Sequence, residues 1–351
     1  MEPCKKYYLL PKNGKFYKGN LHMHTVVSDG KMTPEEVKEE YKKRGYSFLA
    51  YTDHEIIVKH NDLTDDEFLA ITSAEFSVTA AGKHGWPTAR TYHLNVYSPD
   101  PEQDLISVFA ARYCFSKNTL PYVTDEMRNI PDYQRVYSVE GINDFVARCN
   151  AEGFLVSYNH PVWSLQDAND WYGLKGLWGV EWQNTGCYRA GYPDTMQPID
   201  DLLRQNERVM PLATDDAHSR KDSLHDCFGG WVTVKAEKLD YATIFAALKN
   251  GDFYSSQGPE LTELTLKDGV LTVKCSEARK VYITTERRYM RSVEWKNDTP
   301  ITEAQFNLAQ YIADSKPMME AGDWNPYFRV TVVGTDGFEA QSRAYFLDEL
   351  K

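Results

Sequence analysis

Two histidines one residue apart, His22 and His24, are the first residues of this chain whose spacing could do chemistry. Leu21 to Thr25 reads as a short strand, and strand side chains alternate faces. Both imidazoles would then point the same way from Cα atoms about 6–7 Å apart, close enough to share one divalent ion. The run stops in Ser28-Asp29-Gly30, a turn signature carrying a further carboxylate. Thr33-Pro34-Glu35-Glu36 then opens a helix: Thr33 caps it, Pro34 suits its first turn and Glu36 completes a capping box. A histidine pair at the C-terminal end of a strand, followed by a loop and a helix, is how a βα-barrel builds an active site. The pair alone is a weak signal, and what decides is whether other strand ends carry ligands.

They do. The helix after Thr33 should end near Arg44 with Gly45 as its stop, and the apolar run Phe48–Tyr51 that follows ends in Asp53-His54. Phe68–Val78 reads as a third strand, with Glu75 closing its apolar part. A Gly/Pro turn leads to Thr91–Tyr97, a hairpin partner carrying His93. Pro99–Pro131 is irregular and reads as a helical insertion and loop over the mouth of the site. A helix from Ser138 to Asn150 precedes Phe154–Asn159, which ends in His160-Pro161. Gly176–Asn184 is a further strand. Val209–Thr214 ends in Asp215-Asp216-Ala217-His218. Trp231–Val234 and a helix Tyr241–Asn250, stopped by Gly251, complete this part.

After Ser255–Pro259 the character changes to alternating strands: Leu264–Leu266, Val270–Lys274, Val281–Thr284 and Tyr327–Val333. The division is therefore 1–258, an α/β unit with all the chemistry, and 259–351, a small antiparallel β-sandwich-like unit with no chemical motif. The second unit could cover the first or mediate a homo-oligomer.

Composition narrows the class. The chain has 351 residues, 42% of them hydrophobic, enough for a sizeable core. A net charge of −12 with no Lys/Arg-rich run argues against nucleic acid as a partner. No apolar run has membrane length or the form of a signal peptide. The six cysteines lack a Cys-x-x-Cys pair and read as reduced thiols in a cytoplasmic protein.

In combination, His22-x-His24, Asp53-His54, Glu75, His93, His160-Pro161 and Asp216-x-His218 resemble the motifs of the PHP (polymerase and histidinol phosphatase) superfamily, over about residues 14–258. The resemblance implies a distorted (β/α)7 TIM-like barrel with two to three divalent ions, Zn, Mn or Fe. By that resemblance His22, His24, Glu75 and Asp216 would hold the first ion. Glu75 would bridge to a second, completed by His93 and His160, and Asp29, His54 and His218 would hold a third. Asp29 is the softest of these, since a turn aspartate has uses of its own. Asp53 is expected to orient His54 or a loop amide rather than ligate.

The implied activity is metal-dependent hydrolysis of a small phosphomonoester or phosphodiester by a metal-bridging hydroxide, with Asp216 or His218 protonating the leaving oxygen. Arg189 and Arg220 are candidates for a second phosphate contact. Trp86, Trp163, Trp171 and Trp182 are candidates for an apolar pocket. His60, His84 and His225 match no motif. Two other classes stay open: a metal-stabilised binding module without turnover, and a metal-dependent hydrolase of amide or ester bonds.

Overall fold

Short apolar runs separated by amphipathic helices call for a sheet covered by helices. The computed structural model describes residues 6–82, 85–289, 291–296, 299–322 and 325–350; His84 and Cys4 lie outside them. A short β1 (Lys6–Tyr8) precedes β2 (Lys15–Asn20), β3 (Tyr46–Tyr51), β4 (Leu69–Thr79), β5 (Thr91–Tyr97), β6 (Leu155–Asn159), β7 (Gly179–Asn184) and β8 (Met210–Thr214). From β2 to β8 each strand pairs with the next. All these pairings are parallel except those of β5, which runs antiparallel to both β4 and β6. The two ends of the series meet in an isolated parallel bridge between Met23 and Ala217.

Helices α1 (Pro34–Lys42), α2 (Asp125–Arg128), α3 (Val139–Ala151), α4 (Ala168–Trp171), α5 (Thr185–Arg189), α6 (Gln197–Arg204) and α7 (Tyr241–Asn250) fall between or after these strands. Ile142, Phe145 and Val146 of α3 and Ile199, Leu202 and Leu203 of α6 form one buried cluster with Val156 and Val180 of β6 and β7. The expected capping box is present: Glu36 N donates to Thr33 Oγ1 at 3.2 Å and Thr33 N to Glu36 Oε2 at 3.0 Å. Among the described residues no helix is long and apolar enough to cross a membrane, and Cys114, Cys149, Cys187, Cys227 and Cys275 are free thiols.

One expected strand is corrected. Leu21–Thr25 is not a strand, because β2 stops at Asn20. Beyond it the backbone bonds to loops on both sides instead of to a ladder. Thr52 N donates to Met23 O (2.8 Å), Met23 N to Thr52 Oγ1 (2.9 Å) and His24 N to Ala217 O (3.1 Å). The segment stays extended, so His22 and His24 still share a side.

The reversal of β5 matters for the site. His93, near the start of β5, pairs with Ser77 and Asn159, so it lies at the end of the sheet where the parallel strands finish.

The chain continues through β9 (Trp231–Ala236), antiparallel to β2, and β10 (Phe253–Ser256), antiparallel to β9. Strands β11 (Leu261–Lys267), β12 (Val270–Thr285), β13 (Arg291–Glu294), β14 (Ile301–Asn307), β15 (Tyr327–Gly334), β16 (Glu339–Ser342) and β17 (Tyr345–Phe346) follow, with α8 (Ala309–Ala321) between β14 and β15. Their pairings are all antiparallel. The runs Val270–Lys274 and Val281–Thr284, read as two strands, are one long β12 with irregular register after Lys274. The last strands are not detached from the first part: β10 pairs with both β9 and β16, and β1 pairs with β11.

Lys18 on β2 gives the fold a pH signature. Its ammonium lies 3.8 Å from the Trp231 ring centroid and 4.1 Å from that of Tyr46, and burial pushes its pKa down from 10.5 to about 8 against the opposing pull of Asp215 and Glu260. The unfolded chain keeps this proton up to about 10.5, whereas the folded chain loses it above about 8. The Lys18 contribution to stability should therefore rise with pH across that window. Lys18→Met is expected to flatten the rise, as thermal melts at several pH values between these limits would show. An unchanged slope would contradict the assignment.

Candidate metal centre

Each strand end delivers its side chains to one place. Glu75, in the middle of β4, is the hub. Its Oε1 lies 3.2 Å from His22 Nε2, 3.2 Å from His93 Nδ1 and 3.3 Å from His160 Nε2, and its Oε2 lies 3.4 Å from His24 Nε2 and 3.2 Å from His54 Nδ1. Asp216 Oδ1 is 3.2 Å from His22 Nε2 and 3.1 Å from His24 Nε2. On the outer side, Asp29 Oδ1 lies 3.3 Å from His218 Nε2, 3.7 Å from His54 Nε2 and 3.9 Å from His24 Nδ1. All nine expected ligands are thus gathered at one site. Eight of the nine fall into overlapping groups: His22, His24 and Glu75; Glu75, His93 and His160; His24, Asp29, His54 and His218; a fourth group joins His22 and His160 to Glu181, and Asp216 flanks His22 and His24.

The surroundings hold this arrangement. Asp53 accepts from Thr25 N and Oγ1 (2.8 and 2.7 Å) and from Ser28 N and Oγ (3.1 and 2.7 Å). It pins the loop between His24 and Asp29. Gly30 is required in that loop, since a Cβ there would sit 2.4 Å from the His24 carbonyl oxygen. Asp215 accepts from Tyr41 Oη (2.7 Å) and from the amides of Phe228, Gly229 and Gly230, and so ties the segment after His218 to α1. Asn159 Nδ2 donates to Glu75 Oε1 at 2.8 Å.

His160 (φ 29°) and Asp216 (φ 54°) both carry left-handed backbone that a side chain disfavours by about 1–3 kcal/mol each. Their amides are held by Glu181 Oε2 (3.0 Å) and the His22 carbonyl (3.0 Å).

Glu181 is the principal residue that sequence reasoning missed. It accepts from His22 Nδ1 (2.8 Å), Thr214 Oγ1 (2.6 Å) and Asn184 Nδ2 (3.0 Å). The bond to His22 Nδ1 turns Nε2 toward Glu75 and Asp216. A register shift between Glu181 and Gln183 bends β7 at this point. The signal was a lone carboxylate inside the apolar run Gly179-Val-Glu-Trp182.

These residues fit a cation. His22 Nε2 and His24 Nε2 face each other at 3.2 Å. Ligand atoms about 2.0–2.2 Å from a tetrahedral ion lie about 3.3–3.6 Å apart, close to the 3.1–3.4 Å separations among His22, His24, Glu75 and Asp216. Glu75 Oε2, His24 Nδ1 and His54 Nδ1 are buried without a hydrogen bond, so the groups converge on shared space rather than on one another.

The field points the same way. Burial opposes charge on all of these groups. Yet His22, His93 and His160 hold the Glu75 carboxyl well below its usual range, and His22, His24, His160 and His218 do the same for Asp216. Reciprocally, and again against burial, Asp216 and Glu75 raise His24 to about 10 and His160 to about 8. Burial and the His24 charge push His54 down to about 3. The site calls for positive charge, which protons or metal can supply.

Beside the candidate ligands lies a cleft of about 630 Å³, whose lining includes Val78, Trp86, Tyr113, Phe115 and Trp163. Two of the four tryptophans singled out by sequence are therefore in it. Trp171 instead donates to Asp201 (3.1 Å) and Trp182 to Ser255 Oγ (2.9 Å). The Pro99–Pro131 segment is largely irregular, as expected, and is tied down by Ser116 Oγ and Asn118 Nδ2 donating to the Ser28 carbonyl (2.7 and 3.1 Å).

Arg220 is exposed and lies on a separate shallow surface with Lys31 and Lys221. Arg189 donates to the carbonyls of His225 and Cys227, beside Asp216 and His218 but outside the main cleft. The cation that does line the cleft is Arg135, buried and paired with Glu55 (2.6 Å), a second feature that the sequence did not reveal. His60 stacks on Tyr51 (4.8 Å between centroids) and has no part in the ligand groups.

No family model matches the sequence, and no curated protein matches it. Similar solved structures exist. A two-domain protein from Bacteroides vulgatus, containing a predicted PHP-like metal-dependent phosphoesterase, is 16% identical over 97% of each chain with a TM-score of 0.45. A proposed metal-dependent phosphoesterase from Bifidobacterium adolescentis is also 16% identical, over 60% of this chain and 89% of its own, with a TM-score of 0.34. An amidohydrolase from Chromobacterium violaceum, solved with bound sulfate and no metal, is 15% identical over 67% of this chain and 96% of its own, with a TM-score of 0.38.

Proposed function

We propose that this chain is a metal-dependent phosphoesterase, in which β2–β8 form a distorted (β/α)7 barrel within residues 1–258 and residues 259–351 form a β-sandwich-like cover. The observation that carries this reading is the Glu75 carboxylate, whose two oxygens face five imidazoles at 3.2–3.4 Å in a buried site open to a cleft. His22, His24, Glu75 and Asp216 would hold one divalent ion, Glu75 with His93 and His160 a second, and Asp29, His54 and His218 a third. Such ions supply charge neutralisation at the phosphoryl oxygens and an activated water at neutral pH.

The protein's own part is to position and to move a proton. Glu181 fixes the His22 ring and Asp53 fixes the loop that carries His24 and Asp29. Of the two candidate proton donors, His218 is the one we favour in the two-ion form of the site, where it holds no ion and its Nε2 is free to carry a proton. The carboxyl of Asp216 is held ionised, whereas the His218 side chain is about one-third exposed at the cleft. The scattered cysteines, without a Cys-x-x-Cys pair, suit a reducing, cytoplasmic setting.

Elemental analysis of protein purified without chelator and reconstituted with Mn or Zn tests the site. Two or three ions per chain are expected, and fewer than about one would sink the reading. A panel of phosphate esters and acyl esters then tests the reaction. Turnover of acyl esters alone would replace the phosphoesterase reading with hydrolysis at carbon.

A further inference from the structure

The ligand floor is reached from two sides. Beyond Trp163, Asp216 and His218, which border the main cleft, a second hollow of about 380 Å³ continues between Cys187, Arg189, Ala190 and His225. The largely exposed rings of Trp86 (65%) and Phe115 (62%) border the first, where they touch Trp163 and His54. Arg135, the one guanidinium lining it among the described residues, is already neutralised by Glu55 at 2.6 Å, so a second anionic group would find no open cation there. The second hollow is likewise lined mainly by apolar surface, with the Arg189 guanidinium engaged by backbone carbonyls of His225 and Cys227 at its wall.

We propose that the substrate is a phosphodiester, with one ring-bearing arm in the main cleft beside Trp86 and Phe115 and a second arm running past Trp163 toward Arg189 and Ala190. The proposal rests on the phosphoesterase reading and goes beyond it in choosing diester over monoester. A monoester has a single arm and would leave one of the two spaces unfilled, whereas a diester centred over the floor fills both. Hydrolysis would add the oxygen of water to phosphorus and break one P–O bond. The departing alkoxide takes up a proton and leaves as an alcohol, and a phosphomonoester of the other arm remains.

Metal-reconstituted full-length protein should prefer bis(p-nitrophenyl) phosphate over p-nitrophenyl phosphate by about tenfold or more in kcat/KM. Ala190 is exposed at the end of α5, so Ala190→Trp should narrow the second hollow without disturbing the core. It should lower the diester-to-monoester ratio by about tenfold.

A binding measurement stands beside turnover. In calorimetric titrations, Ala190→Trp should weaken diphenylphosphinate, which has two arms and no hydrolysable bond, more than one-armed phenylphosphonate. A preference for the monoester overturns the proposal and leaves the phosphoesterase reading standing. So does an Ala190→Trp variant in which both the ester ratio and the phosphinate affinity stay unchanged. Failure of metal-loaded protein to hydrolyse either ester overturns both.

Discussion

Glu75→Gln is expected to strip the site of metal and abolish turnover while the fold survives. The substitution keeps shape and volume, and Asn159 Nδ2 can still donate to the remaining carbonyl oxygen at Oε1. What it removes is the charge that sits 3.2–3.4 Å from the imidazoles of His22, His24, His54, His93 and His160. Loss of a partner one step removed from a metal commonly costs 10–100-fold in affinity, so a carboxylate facing two ligand groups should cost at least about 100-fold. Elemental analysis and circular dichroism should report metal lost and secondary structure kept. Full metal occupancy in the variant would show that Glu75 is not shared between ions. A contrasting substitution, Glu181→Gln, should retain most of the metal, because Glu181 acts through the orientation of His22.

How much of this was legible in the sequence follows from where each signal lay. Runs such as Phe48–Tyr51 and Val209–Thr214 are apolar and stop abruptly in Asp or His. Strand and candidate ligand therefore announce each other, and β3 and β8 lie where the sequence put them, with Asp53, His54, Asp216 and His218 just beyond their ends. His22 and His24 read as a strand pair because their spacing is that of a strand; the chain is extended there, but its partners are Thr52 and Ala217 in loops rather than a ladder. Glu181 carried no spacing signal. Its role depends on a register shift in β7 and on His22, 159 positions away. The Arg135–Glu55 pair, 80 positions apart, was equally out of reach. Residues that act through long-range geometry leave little local pattern beyond a hint such as the lone carboxylate in β7, and the junction of the two halves of the chain is the largest example.

A chain ending at Pro259 is expected to be insoluble or loosely folded, even though every inferred ligand lies before that point. β10 would lose β16, its partner on one side, through Tyr254–Ser342, Ser255–Gln341 and Ser256–Ala340. At the other end of the sequence β1 would lose β11, and Leu9 and Leu10, now buried among Leu261, Leu264 and Val330, would face water. Phe346, Tyr327 and Ala344 pack in the same cluster as Ile199, Leu202 and Leu203 of α6, so their removal uncovers that helix. Each large apolar side chain exposed forfeits about 1.5–3 kcal/mol, and a patch of several hundred Å² invites association. Asp200 would also lose Arg329, whose Nε and Nη2 each donate to its carboxylate at 2.9 Å. In the intact chain Arg329→Met removes that pair together with the Nη1 bonds to Thr331 Oγ1 (3.3 Å) and Gln341 Oε1 (3.0 Å). The pair is largely buried, with side chains 5% and 14% exposed, and breaking it should cost about 3–5 kcal/mol, seen as a lowered thermal midpoint with metal content unchanged. A truncated chain that stays monomeric, melts sharply and binds metal as the full chain does would refute this account and make residues 1–258 self-sufficient. Aggregation of the truncated chain, with a destabilised but metal-loaded Arg329→Met, would show that the second part of the chain supports the first through their shared sheet edge and the α6 contact rather than by donating ligands.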